Sequence, residues 1–255
     1  MFNIVISGSD GFIGKHLVSK LSKNKQYKLI KMDRSLGNIS KEKTWKKLPK
    51  AKILIHLAAK TFVPNSWDNP KEFFETNVLG TVRALEYCRI NKSKIIFLSS
   101  YLYGNVDKLP SNEKAKIKLE NPYSLTKKTA EDICRFYSKK YGLKIVILRP
   151  SNAYGPNQKD FFLIPDIINK LKRKKIIVNN IHIKRDLIYV SDLVEAIIKS
   201  LLLKSKFEIL NIGSGKSYGI RKIIDIVQKI NGTHYPIKNK GVHKSNEILS
   251  TQLNI

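Results

Sequence analysis

Tyr123 and Lys127 are two side chains that could exchange and stabilise a proton, and they lie four positions apart. Their segment, 121–141, contains no glycine and no proline after Pro122, which predicts a helix. Residues four apart share one face of a helix. A phenol has a pKa of about 10 in water, and a nearby ammonium favours the phenolate and lowers that pKa. The spacing is thus compatible with acid/base chemistry by Tyr123, although such pairs are also common on helices without any catalytic role.

A hydroxyl and an amide are placed to assist this chemistry. Ser99 and Ser100 directly follow the apolar run 94–98, which is typical of a buried parallel strand. Side chains at the carboxyl end of such a strand face the ligand crevice. Asn77 interrupts the apolar face of a helix expected from Pro70 to about Ile90. It is either a core amide bonded to the backbone or a functional group.

Three glycines near the N-terminus predict a phosphate-binding turn. Gly8, Gly11 and Gly14 follow the strand-like run 2–6 and lead directly into a helical pattern. Gly8 would permit a tight turn, Gly11 a close approach of phosphates, and Gly14 packing of the helix on the strand. The helix N-terminus then offers free N–H groups to an anion. The alternative is a turn that merely needs glycine.

A second strand-like run, 27–32, ends on Asp33. A carboxylate at this place can accept both ribose hydroxyls of an adenosine. Its charge would repel a 2′-phosphate, so the cofactor expected is NAD. Arg34 could partly offset that repulsion, which leaves NADP as an alternative.

The remaining patterns alternate between strands and helices. The run 52–59 predicts a central parallel strand buried on both faces, in which His56 is an interior histidine with satisfied hydrogen bonds. A short third strand is expected at 37–39 and a loop at 61–69. The fold class is therefore α/β, with a Rossmann-type doubly wound parallel sheet.

Composition limits the possible partners. The chain has 255 residues, 42% of them hydrophobic, and a net charge of +28, which could mark a nucleic-acid binder. The lysines are spread along the whole chain, however, so we expect no nucleic-acid partner. Cys88 and Cys134 lack CxxC spacing and favour reduced core thiols, and we expect no metal site. Neither a signal segment nor a membrane span is evident, so a cytoplasmic location is expected.

Taken in order, the motifs resemble the extended short-chain dehydrogenase/reductase superfamily, and within it the NAD-dependent epimerase/dehydratase family, which modifies nucleotide sugars. They are the GxxGxxG turn Gly8–Gly14, the adenine pair Asn38–Ile39 with Asn in place of the usual Asp, the strand His56–Ala59, the YxxxK motif Tyr123–Lys127, the stretch Arg149–Pro156 and the pair Arg185–Asp186. The resemblance covers residues 2 to about 215.

The resemblance implies roles for individual residues. Tyr123 would be the acid/base, Lys127 would hold the cofactor ribose and lower the pKa of Tyr123, and Asn77 would support a water relay. Ser99, four residues before Tyr103, would supply the catalytic hydroxyl, with Ser100 as the alternative if the alignment slips by one. Ser100, Asn152 and Arg185 would bind the sugar nucleotide. Cofactor contacts are implied for Gly8, Gly11, Phe12, Ile13, Gly14, Asp33, Asn38, Ile39, Leu57, Ala58, Ala59, Tyr123, Lys127 and Pro150.

The resemblance also narrows the reaction. Family dehydratases carry two acidic residues after the catalytic hydroxyl, and this chain has Ser100 and Tyr101 there, so elimination lacks its proton donor. Hydride transfer at C4 of a hexose, by a 4-epimerase or a 4-keto reductase, is the expected reaction. The rival interpretation is a non-catalytic nucleotide sensor or RNA-binding scaffold, which the basic charge would suit.

Domain organisation and assembly follow from the same resemblance. We expect a Rossmann domain at 1–151, completed by about 186–214, and a smaller substrate-binding portion at 152–185 and 215–255. Relatives usually continue with further helices, so this C-terminal portion is expected to be abbreviated, naturally or by truncation. The helix after Pro70 and the Tyr123 helix would pair in a homodimer.

Overall fold

The computed structural model describes residues 1–242 and 247–255. The strands in these ranges are β1 (Phe2–Ser7), β2 (Tyr27–Met32), β3 (Ile53–His56), β4 (Lys94–Leu98), β5 (Ile145–Pro150), β6 (Asn152–Tyr154), β7 (Ile176–Val178), β8 (Lys184–Tyr189), β9 (Phe207–Ile212), β10 (Ser217–Gly219) and β11 (Ile237–Asn239).

The helices differ in length and in type. They are α1 (Phe12–Leu21), α2 (Glu42–Lys46), α3 (Val63–Asp68), α4 (Pro70–Phe73), a π-helical segment (Phe74–Leu79), α5 (Gly80–Asn91), α6 (Pro122–Tyr141), α7 (Leu163–Lys172), α8 (Val190–Ser200) and α9 (Ile220–Ile230). None of the described helices is both long and apolar enough to cross a membrane.

Six parallel strands form the central sheet, in the order β2-β1-β3-β4-β5-β9. Helices α1 and α8 pack on one face of the sheet, and α5 and α6 pack on the other. Because both faces are covered, the central strands are almost continuously apolar. This arrangement confirms the expected Rossmann-type fold, and it brings the carboxyl ends of all six strands to one edge.

The third strand expected at 37–39 is not formed, so that prediction was wrong. Local side-chain hydrogen bonds occupy the backbone there instead, as polar and turn residues commonly do. Asn38 Oδ1 accepts the Ser40 N–H at 2.9 Å, and the Trp45 indole donates to the Ile39 carbonyl at 2.7 Å. Strand β2 is consequently the sheet edge.

The loop expected at 61–69 is also corrected, because residues 63–68 form α3. Pro64 lies in the first turn of this helix, where its fixed φ and missing N–H are tolerated. Pro64 therefore lies at the start of a helix and not within a loop.

A smaller hydrophobic cluster lies outside the central sheet. Side chains of α7, β7 and α9, including Ile167, Ile176 and Ile224, pack together there. Strands β10, β8 and β6 form one small sheet, and β11 pairs with β7. The proposed domain boundaries remain a prediction.

The C-terminal residues are held in place by hydrogen bonds to β8. Asp186 is fully buried, and its carboxylate accepts the N–H groups of Ser214 at 2.9 Å and Leu253 at 3.0 Å. Thr251 Oγ1 accepts the Asp186 N–H at 3.0 Å. Residues 250–253 are thereby held against β8.

Candidate active site

The glycine turn forms a cradle at the carboxyl end of β1. Gly8 has a φ of 73°, a conformation that L-residues with a Cβ rarely adopt. A Cβ on Gly14 would lie 2.1 Å from the Gly8 carbonyl oxygen, so α1 can approach the turn only without a side chain there. Phe12 and Ile13 open α1, where backbone N–H groups lack intrahelical partners. This geometry fits the pyrophosphate of a dinucleotide.

The predicted adenosine contacts surround the end of β2. The Asp33 carboxylate accepts the Ser35 hydroxyl at 2.6 Å and the Ser35 N–H at 2.9 Å, and these bonds lower the pKa of Asp33. Asn38 is exposed, and Ile39 packs against Gly80 of α5. The contacts of these residues with adenine remain a prediction.

The small residues after β3 are partly exposed at the same edge, as their sequence position suggests. Ala58 lies directly beside Gly8, whose missing Cβ would come within 2.8 Å of the Ala58 nitrogen. Leu57 and Ala59 flank it, and Pro150 ends β5 two strands away in the same sheet.

His56 is an interior histidine, as the sequence indicates. Its Nδ1 lies 2.6 Å from the Ser7 hydroxyl, and its Nε2 lies 3.3 Å from the Thr81 hydroxyl. Burial, with a smaller effect of the Lys127 charge, lowers the pKa of His56 to about 3, so the ring is neutral at physiological pH.

Asn77 lies in the π-helical segment and is buried. Its Oδ1 accepts the Lys60 N–H at 2.8 Å, and its Nδ2 donates to the Lys60 carbonyl and the Thr126 hydroxyl, both at 3.0 Å. These bonds match the interpretation as a core amide, and they link the chain after β3 to α6. Participation in a water relay remains a prediction.

Capping residues fix the start of helix α6. Asn121 Oδ1 accepts the Ser124 N–H at 2.8 Å, Ser124 Oγ accepts the Asn121 N–H at 3.2 Å, and Pro122 occupies the first turn. Tyr123 therefore lies in the first turn, and its ring forms a T-shaped pair with the Phe73 ring, with 6.4 Å between the ring centres.

Tyr123 lines a cavity of about 550 Å³ together with Ser100, Asn152 and Arg185. Burial raises the pKa of Tyr123, and a side-chain hydrogen bond with Ser100 opposes this only in part. The lowering of this pKa by Lys127 remains a prediction. The phenol is protonated at neutral pH.

Ser99 and Ser100 face different surroundings. The Ser99 N–H donates to the Leu148 carbonyl at 2.7 Å, which extends the strand ladder by one residue. Successive side chains of a strand point to opposite faces. The Ser99 hydroxyl is buried and has no hydrogen-bond partner among the described residues, whereas Ser100 lines the cavity. This geometry favours Ser100 over the predicted Ser99 as the hydroxyl beside Tyr123.

Lys127 is buried against β4. Its ammonium donates to the Leu98 carbonyl at 2.6 Å and lies 4.3 Å from the centre of the Phe97 ring. Burial lowers the pKa of Lys127 to about 8, against the effect of Glu131. The lysine is thus anchored to the carboxyl end of β4.

The other end of the cavity carries a cation. Burial lowers the pKa of Arg185 to about 10, while Glu247 raises it, so the guanidinium stays charged at neutral pH. Asn152 is exposed beside it. A guanidinium suits a phosphate, because its planar N–H groups can donate two parallel hydrogen bonds.

Sequence reasoning missed two groups of cavity residues. Val63, Pro64 and Trp67 belong to α3, which was expected to be a loop, and Glu247 and Thr251 belong to the weakly patterned last residues. Pro64 at the start of a helix was the available signal for the first group. No local pattern marks the second group, since its position depends on contacts with β8.

The parallel sheet, the glycine turn and the tyrosine of a YxxxK motif beside a cavity define an extended short-chain dehydrogenase/reductase. The profile of the NAD dependent epimerase/dehydratase family matches residues 4–213. The chain belongs to this family.

Similar proteins act on different nucleotide sugars. The chain is 30% identical to the GDP-6-deoxy-D-mannose reductase of Pseudomonas aeruginosa, over 89% of this chain and 79% of that one. It superposes on the UDP-glucose 4-epimerase of Thermotoga maritima, solved with UDP-glucose, with a TM-score of 0.93 and 26% identity, covering 99% and 89% of the two chains. It also superposes on MoeE5 in complex with UDP-glucuronic acid and NAD, with a TM-score of 0.91 and 25% identity, covering 99% and 90%.

Proposed function

We propose that this protein exchanges a hydride at C4 of the hexose of a nucleotide sugar, as a 4-epimerase or a 4-keto reductase. The observation that carries the proposal is one cavity lined by the phenol of Tyr123 and the hydroxyl of Ser100, and also by Asn152 and Arg185, which we propose bind the diphosphate. A nucleotide sugar has the matching groups, a ring hydroxyl near one end and a diphosphate towards the other.

The cofactor we propose is NAD, which when bound supplies or accepts the hydride. The absence of a side chain at Gly14 lets α1 pack closely on the glycine turn, an arrangement that suits binding of the pyrophosphate. The Asp33 carboxylate, kept charged by Ser35, favours a ribose without a 2′-phosphate. Likeness to a protein solved with both NAD and a sugar nucleotide supports the same assignment.

Tyr123 moves the proton in this proposal. The phenol donates its proton to the C4 oxygen when a ketone is reduced, and the phenolate takes a proton from the C4 hydroxyl in the reverse direction. Ser100 donates a hydrogen bond to the reacting oxygen. The raised pKa of Tyr123 supports the acid role at neutral pH. Lys127, four residues later on α6, is the cation proposed to stabilise the phenolate.

Dehydration is not favoured by the residues that follow the catalytic hydroxyl. With Ser100 in that role, the next two residues are Tyr101 and Leu102, neither of which is a carboxylic acid. Glu120 also lines the cavity. Formation of a 4-keto-6-deoxy product would therefore contradict the proposal and point to Glu120 as the proton donor.

The test is a screen of UDP-, dTDP-, GDP- and CDP-sugars, including 4-keto-6-deoxy forms, for a change in nicotinamide absorbance or in C4 configuration. NAD that stays bound through purification supports an epimerase, since its hydride returns to the same sugar. A freely exchanging cofactor supports a reductase. Absence of turnover with every sugar would contradict the proposal.

We also propose a homodimer formed through α5 and α6. These helices expose large apolar side chains, among them Ile90 at 70%, Phe136 at 52% and Tyr141 at 52%. Burying such groups against a second copy would remove them from water.

A further inference from the structure

Lys127 is a buried cation whose direct partners are neutral. Only 3% of the residue is exposed, and its ammonium contacts the Leu98 carbonyl and the Phe97 ring. Neither group carries a charge that balances the ammonium. Burying a charge without a partner is unfavourable, and a lysine in such surroundings tends to lose its proton.

Glu131 provides the missing negative charge. It follows Lys127 by four residues on α6, so both lie on one helix face. Its carboxylate accepts two hydrogen bonds from Arg149, Nε to Oε1 at 2.9 Å and Nη2 to Oε2 at 2.5 Å. Both side chains of this ion pair are 3% exposed. The charge of Glu131 raises the pKa of Lys127 and so opposes the effect of burial.

The position of Glu131 is fixed from the side of Arg149. The guanidinium also donates from Nη1 to the Tyr103 hydroxyl at 3.1 Å, and Tyr103 donates to Asn211 Oδ1 at 2.6 Å. This chain of bonds extends to β9. The carboxylate is thus held by the arginine and forms no contact ion pair with Lys127 among the salt bridges of the described residues.

The other titratable groups near Lys127 are uncharged at neutral pH. Burial raises the pKa of Cys134, so it remains a thiol, and the pKa of His56 is about 3, so it remains neutral. Tyr123, one turn earlier on α6, is a protonated phenol. Lys127, Glu131 and Arg149 therefore form a buried group of two cations and one anion, with one net positive charge.

We propose that Glu131 is a positioning residue that keeps the Lys127 ammonium charged at the end of β4, while Arg149 holds the carboxylate away from direct contact with the lysine. One net positive charge is thereby kept on α6, one helical turn after Tyr123, where a phenolate would form. This inference rests on the proposed function for the role of Lys127, but its first test requires no turnover.

The test measures the titration of Lys127 by NMR on ¹³C-lysine-labelled protein, with the signal assigned by its loss in Lys127→Met. In Glu131→Gln the pKa of Lys127 should fall by about one unit or more, the size expected for loss of a nearby opposite charge. The matched control is Asp132→Asn, which removes the next carboxylate of the same helix, one that pairs with Lys128 at the surface. It should leave the titration unchanged. An unchanged titration in Glu131→Gln would overturn the proposal.

A second variant keeps the test valid if the first one unfolds. Breaking a buried pair by removing one partner is strongly destabilising, whereas replacing both partners is often tolerated. Glu131→Gln combined with Arg149→Met should therefore fold. Because the change at position 149 also removes a cation, the double variant is compared with Arg149→Met alone, and its Lys127 pKa should be the lower of the two. Equal titrations in these two variants would also contradict the proposal.

The pH dependence of turnover provides the functional readout. Once a substrate is found, the pH at which kcat declines on the alkaline side should shift downward in Glu131→Gln by the same amount as the Lys127 titration. A lower kcat with an unshifted profile would indicate a purely structural role and refute the proposal. If no sugar nucleotide is turned over, the proposed function fails, while the NMR titration still decides this inference.

Discussion

Gly14→Ala should impair NAD binding through a single methyl group. The added Cβ would lie 2.1 Å from the Gly8 carbonyl oxygen and must retreat to about 3.4 Å, the start of ordinary contact, so the turn must shift by about 1.3 Å. Overpacking of this kind costs about 1–3 kcal/mol of stability. A displaced turn also misaligns the N–H groups that would bind the pyrophosphate. We expect the Kd for NAD to rise at least tenfold, which corresponds to about 1.4 kcal/mol.

Alanine substitutions at two further glycines provide a weaker effect and a control for comparison with Gly14→Ala. A Cβ on Gly11 would lie 3.2 Å from the Gly8 carbonyl oxygen, so Gly11→Ala should have a smaller effect. Gly219 caps α9 with a φ of −66° and has open space around it, so Gly219→Ala is the matched control, expected to change stability by no more than about 0.5 kcal/mol. Calorimetric NAD titration and thermal unfolding measure both effects. NAD affinity in Gly14→Ala equal to that of the wild type would refute the assignment of the glycine turn as the pyrophosphate-binding site.

The remaining predictions concern stability, the catalytic hydroxyl and assembly. Because the pKa of His56 is about 3 in the folded protein and 6.5 in the unfolded chain, protons favour unfolding between these values. Urea unfolding should give a free energy about 2 kcal/mol lower at pH 5 than at pH 8 from this residue, and a His56→Gln variant that keeps the full pH slope would contradict this. Ser100→Ala should lower kcat by about 100-fold or more, with little change in NAD affinity, and Ser99→Ala should lower kcat far less. A larger fall in kcat in Ser99→Ala would identify Ser99 as the catalytic hydroxyl. Sedimentation should show a dimer for the wild type and a monomer for the double variant Ile90→Glu and Phe136→Glu. A monomeric wild type would refute the proposed homodimer.

The strands and the glycine turn could be predicted because their signals are local. Nearly continuous apolar runs arise where both faces of a parallel strand are covered, and the sheet confirms the strands expected at 2–6 and 94–98. The strand expected at 27–32 is also confirmed, as the edge strand β2. Helix α6 was predictable for a similar reason, since Asn121 and Pro122 define its start within the sequence.

The features that could not be predicted depend on contacts between distant segments. The choice between Ser99 and Ser100 depends on how far the β4 ladder continues, and a hydrogen bond from Ser99 to Leu148 of β5 determines this. The segment 250–253 carries no local pattern, since Asp186 of β8 holds it in place. The raised pKa of Tyr123 depends on burial, which spacing to Lys127 does not reveal.

Comparing Tyr123→Phe with the wild type tests the central claim most directly. The measured quantities are kcat on the sugar nucleotide found by the screen and the Kd for NAD, with Tyr137→Phe as the control that removes a phenol oxygen from the same helix at a site where it bonds Glu86. We expect loss of turnover in Tyr123→Phe, nearly unchanged NAD affinity and normal turnover in the control. Turnover in Tyr123→Phe at the wild-type rate would contradict the central claim.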